Sequence, residues 1–164
     1  MKELLKKINF NKVLKYLLFM FLTLMLQNMV LSHIRPLDVC PMVLPAAAAA
    51  VGMFEGALWG PVFSLVMGFF ADMSFVENTI FFTVLLPLLS LLSAFVSQFF
   101  INRRFFAFMG IAFLELLITA ALQMLKTLAA DAWDTDMLTV ALLQAVWSLP
   151  PAALMYLPPA KWIK

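Results

Sequence analysis

Glu115 is the ionisable side chain least suited to its surroundings. It stands inside an apolar run from about Phe105 to Leu128. A carboxylate at bilayer depth costs several kcal/mol unless it is paired or protonated. No basic residue falls at matching depth in another apolar segment, so the partners on offer are Gln98, Gln144 and Thr119. Glu115 reads either as a polar clamp between helices or as a contact for a ligand or partner. A proton relay needs a chain of such groups, and Glu115 stands alone. Four other polar residues fall near the ends of apolar runs. Gln27 and Asn28 sit late in the first run, where they could bond other helices or line a cavity. Asp38 follows Arg35-Pro36-Leu37 in a connection. Asp72 closes Gly68-Phe69-Phe70-Ala71-Asp72, either solvated at a helix end or anchoring the next loop.

Other chemistries find no constellation. Cys40 is the single cysteine, so no internal disulfide is possible, and it reads as a small packing residue. His33 is the single histidine, and one histidine does not make a metal site. There is no Cys-x-x-Cys, His-Glu-x-x-His or phosphate loop, and no serine has an evident base. The chain is expected to be no enzyme, to need no metal or cofactor, and to bind no nucleic acid, because its few cations lie beside apolar runs.

Gly52, Gly56 and Gly60 recur every four residues, with Ala48 before them. Small residues at that spacing share a helix face and let a second backbone approach closely. The partner backbone is either a neighbouring span of this chain or a helix of another protein. The four tryptophans are read mostly as an interfacial belt.

The elements that must position these residues follow from composition. Of 164 residues, 65% are hydrophobic and 12% charged, against about 25% charged in soluble domains. A chain this small needs polar groups over most of a water-facing exterior, so lipid must replace water around much of it. At roughly 20 apolar residues per helical span, the length allows at most about six. The expected fold is all-α: a polytopic membrane protein in one domain, with spans at about 13–34, 39–54, 57–73, 79–101, 105–128 and 137–157. Pro158-Pro159 is expected to end the last helix. The lysines before the first run resemble a signal peptide, but Gln27-Asn28-Met29-Val30-Leu31 stands where a small-residue cleavage site belongs, so a retained span is expected. The second and third segments fit as two spans only if both are short, with Glu55 marking the turn; the alternative is one long stretch with an embedded acid.

Charge placement sets the expected orientation. With six crossings and a cytoplasmic N-terminus, Lys2, Lys6, Lys7, Lys12, Lys15, Arg103, Arg104, Lys161 and Lys164 fall inside, and only Arg35 and Lys126 outside. Both termini are then cytoplasmic. The N-terminal lysines suit anionic lipid headgroups.

A family resemblance rests on the residues between roughly Met20 and Gln98. An Arg-Pro-x-Asp turn (Arg35 to Asp38) follows the first span, then a short small-residue span with Gly52, Gly56 and Gly60, then the Gly-Phe-x-x-Asp end at Gly68 to Asp72. This resembles the rod shape-determining protein MreD family of the bacterial inner membrane. Phe69 stands where that family more often has leucine, and the glycine usual soon after the aspartate is missing. The resemblance implies a non-enzymatic scaffold of the cell-elongation machinery that builds the lateral cell wall, with MreC, MreB and the RodA–penicillin-binding-protein synthase as partners. Gly52, Gly56, Gly60 and Gly68 would then be packing or partner positions. The architecture is also similar to the substrate-binding S components of energy-coupling-factor vitamin transporters, which implies a ligand pocket open to the outside.

Overall fold

The computed structural model describes residues 10–34, 39–74, 80–99, 105–128 and 136–162. Among these there is no strand, and five helices are long and apolar enough to cross a membrane. Helix α1 spans Phe10–Met25 and runs into a π-helical turn, Leu26–Leu31. Then come α2 (Leu44–Ser74), α3 (Phe81–Phe99), α4 (Phe105–Leu128) and α5 (Asp136–Trp162).

Helix α2 is two helices in series. Gly56 has φ 82° and ψ −173°, a region essentially reserved for glycine. The chain folds back there. Eight residues along a straight helix would separate Gly52 from Gly60 by about 12 Å. Instead, a β-carbon built on Gly60 would stand 2.7 Å from the Gly52 α-carbon. The turn therefore falls beside Glu55, and the two short segments expected in this region are the arms of a hairpin. The first arm starts where Pro45 suits a first helical turn and continues through Ala46 to Ala50, the residue type with the best helix propensity.

Side-chain contacts establish the alternating course. At one end, Glu55 meets Lys12 and Tyr16 of α1, and Tyr156 of α5 packs on Phe54, Phe105 and Phe108. Toward the other, Gln27 meets Val43 and Asp72 meets Thr83, and Ser148, about 12 Å along α5 from Tyr156, meets Met42. Gln98 returns α3 to Gly56 at the first end. The segments thus run back and forth between a Lys12 end and a Gln27 end, and Phe63 of the second arm of α2 packs on Tyr16 and Phe19 of α1 on the way.

The core is the alanine-rich first arm. Val43, Leu44 and Ala46 to Ala50 are fully buried. Most large exposed apolar side chains, such as Leu14, Leu18, Leu88 and Leu154, point outward from the other helices, as lipid-facing residues do. Two boundaries depart from expectation. The second crossing is helical only from Leu44; residues 39 and 41–43 are buried, Cys40 is partly buried, and none of the five is helical. The last helix runs through Pro158-Pro159 to Trp162. Proline removes a backbone donor without preventing its neighbours from staying helical, and the fully buried Pro159 holds this final turn in place.

Candidate functional site

The most polar place inside the bundle is the non-helical entry to α2. Five residues reach at most about 16 to 18 Å, and the helical arm to Glu55 adds about 18 Å, so together they cross a hydrocarbon layer of about 30 Å. Non-helical backbone at such depth is tolerated only where protein covers it and serves its polar groups. Three side chains do so. Gln27 donates through Nε2 to the Pro41 carbonyl at 3.2 Å, and its Oε1 accepts from the Val43 N–H at 2.9 Å. The Met42 N–H donates to the Ser148 hydroxyl at 2.8 Å. Gln144 donates to the Cys40 carbonyl at 3.3 Å. The π-helical turn aims Gln27: the wider turn places its side chain inward, where it is buried. The same turn leaves Asn28 exposed, so of the two amides only Gln27 turns into the bundle.

Asp72 serves the start of α3. Its carboxylate accepts from the Phe82 N–H at 3.0 Å, the Thr83 N–H at 2.7 Å and the Thr83 hydroxyl at 2.6 Å. One turn earlier, Gly68 lies so close to α3 that a β-carbon there would stand 2.9 Å from the Thr83 α-carbon. Gly68 and Asp72 are thus one docking device, in which the glycine admits the helix start and the acid satisfies its free N–H groups. Asp72 caps the start of α3 and is buried, not a solvated end.

The glycine series is internal. Gly52 packs on the Ser90 carbonyl and the Ser93 hydroxyl, and Gly60 packs on the Ser90 hydroxyl and on Gly52. Ser97 donates to the Met53 carbonyl at 3.3 Å. Of the two backbones the sequence allowed, a neighbouring span or another protein's helix, it is α3 of this chain that fills the Gly52 and Gly60 side. Gly56 forms the turn itself. Ser90, Ser93 and Ser97, spaced a turn apart in an apolar helix, were the overlooked signal for this interface. Tyr16 was also overlooked, although its spacing from Lys12 puts both on one helix face. Glu55 accepts from Tyr16 at 2.5 Å and pairs with Lys12 at 2.6 Å.

Glu115 is fully buried, and neither carboxyl oxygen has a hydrogen-bond partner among the described residues. The three expected partners are otherwise placed. Thr119 donates to the Glu115 backbone carbonyl at 2.8 Å, Gln144 serves Cys40, and Gln98 is exposed beside Gly56. The side chain does not clamp two helices here. Cys40 has hydrogen-bond contacts to the Leu31 and Pro41 carbonyls, in keeping with a packing role. His33 is exposed beside the Ser32 hydroxyl. Asp38 lies outside the described residues, as do Arg35, Arg103 and Arg104. Among the described residues no group of His, Cys, Asp or Glu could hold a metal ion.

No protein-family model, no curated protein and no solved structure matches the chain.

Proposed function

We propose that this protein is a non-enzymatic membrane scaffold of the bacterial cell-elongation machinery, MreD-like, with both termini in the cytoplasm. The observation that carries the proposal is how the polar groups are used. Gln27, Gln144, Ser148 and Asp72 are engaged with the chain's own backbone, which suits a bundle built for rigidity and lateral contact. The motifs that resemble the MreD family, from Gly52 to Asp72, make up the hairpin and its junction with α3. Partner contacts then fall to the lipid-facing helix sides and the connections, because the glycine face is occupied.

One observation favours a second reading, the S component of a vitamin transporter. A broken crossing at membrane depth is where transporters commonly bind polar ligands, and residues 39–43 form such a break. Against it, the amides that a ligand would use are committed to the break itself.

Purification from native membranes under mild crosslinking separates the two. Recovery of MreC or the RodA–penicillin-binding-protein synthase is the expected result. Recovery of an energy-coupling ATPase pair together with a bound vitamin would overturn the scaffold and establish the transporter. Adjacency of the gene to those for MreB and MreC is a cheaper check on the same proposal.

A further inference from the structure

Helix α5 carries a defect on its outer side. Pro150 and Pro151 have no N–H, so the carbonyls of Val146 and Trp147 lack the helical donor four residues ahead. Pro158 and Pro159 do the same to Leu154 and Met155, but those prolines lie in the last turn of the helix beside Lys161. Pro150 and Pro151 lie deep in the span. Measured along the helix from the span ends Met137 and Lys161, Trp147 is about 15 Å from one and about 21 Å from the other. A helical carbonyl points toward residue i+4, so these two acceptors open beside the prolines. Pro150 is exposed, and its neighbours on that side are too: Val146 is 53% exposed, Trp147 41% and Leu154 57%.

Trp147 is itself out of place. Tryptophan favours the membrane–water interface, where its N–H finds an acceptor. Here the indole is half-exposed near the middle of the span, and its N–H has no hydrogen-bond acceptor among the described residues. One lipid-facing patch therefore holds an unused donor and two backbone acceptors without their helical donors, all at one depth. Lipid tails can satisfy neither kind of group.

The geometry points to a second copy of this chain as the occupant of the patch. Two copies inserted with the same topology are related by a two-fold axis along the membrane normal. That axis puts Trp147 of each copy level with the Val146 and Trp147 carbonyls of the other. An isologous contact requires a self-complementary surface, and a donor and its acceptors at the same height on the same helix side provide one. Each indole N–H donates to a carbonyl freed by proline in its partner, and Val146, Pro150 and Leu154 pack around the two bonds.

The test uses the full chain in lipid bilayers, with Cys40→Ala to remove the native thiol. Oxidation of a Val146→Cys variant is expected to yield a covalent dimer of this chain. A Leu88→Cys variant, on the lipid-facing side of α3, is expected to yield little. In the Val146→Cys background, Trp147→Phe should cut the dimer fraction several-fold, while Trp59→Phe, an exposed tryptophan on α2, should leave it unchanged. Pro150→Ala with Pro151→Ala restores both N–H donors. It should also reduce the dimer while leaving the thermal stability of the monomer equal or higher, which a merely structural role of the prolines would not do. Crosslinking at Val146 no greater than at Leu88, a dimer insensitive to both Trp147→Phe and the proline replacements, or a crosslinked product containing a different protein would each overturn the proposal.

Discussion

Gly60 backs directly onto Gly52, and the Ser90 hydroxyl sits against both: a β-carbon would stand 2.7 Å from that oxygen at Gly52 and 2.8 Å at Gly60. Three helical segments converge on these three residues because none carries a bulky side chain at the crossing. In lipid, helices associate through such close packing and not through exclusion of water. The junction therefore holds the hairpin to α3.

Replacement of Gly60 by leucine should destabilise the protein by about 1–3 kcal/mol or more, the usual cost of overpacking a filled interior. Gly110 is the internal control. Nothing lies within 4 Å of its β-carbon position, and it is in a helix, so Gly110→Ala should stabilise by about 0.5–1 kcal/mol. Thermal unfolding of the two variants in the same detergent measures both effects, and equal midpoints would refute the junction.

The hairpin turn makes a different demand. Gly56 has positive φ with an extended ψ, which a β-carbon opposes at a cost of order 1–3 kcal/mol. Gly56→Ala should lower the unfolding midpoint. Gly56→Asn should do no better, because asparagine tolerates the left-handed helical region but not this one. Rescue by asparagine would indicate a different backbone at the turn.

Gln27 is the side chain on which the non-helical crossing depends most. Gln27→Leu leaves the Pro41 carbonyl and the Val43 N–H without their partner, at a cost of roughly 1–3 kcal/mol for each buried group left unsatisfied. Faster amide hydrogen exchange at residues 42–44, together with a lower midpoint, is the expected signature. Asn28→Leu, on the exposed side of the same turn, should leave both unchanged.

Glu115 offers a prediction of opposite sign. Its carboxyl has no described partner to lose, so Glu115→Leu should raise stability, by about 1–3 kcal/mol if the whole penalty of an unsatisfied buried group is relieved. Thermal unfolding checks the stability. Complementation of a strain lacking the gene then checks whether the carboxyl has a use that offsets its cost. A fall in stability on Glu115→Leu would mean that the carboxyl is paired after all.

Hydropathy and local backbone preference were enough to place this chain in a membrane as a set of helices. They also offered a turn beside Glu55, because an acid followed by glycine interrupts an apolar run, but left one long stretch with an embedded acid as the alternative. Gly68 and Asp72 could be singled out by type, since glycine admits the closest backbone approach and aspartate is among the residues that cap free N–H groups. What each residue meets was decided by the tertiary structure. Gln27 and Val43 lie close in sequence, but Met42 lies in the non-helical entry to α2 and Ser148 far along the chain in α5, and no periodicity links them. The glycine face could be assigned to α3 only once α3 was in place, because lipid supplies no hydrophobic drive toward one particular helix and the Ser90–Ser93–Ser97 stripe does not name its partner. For the same reason the sequence could offer Glu115 three polar partners but not show that each is placed elsewhere. Nor could it show that the last helix continues through Pro158-Pro159, which depends on Pro159 being buried against the rest of the bundle.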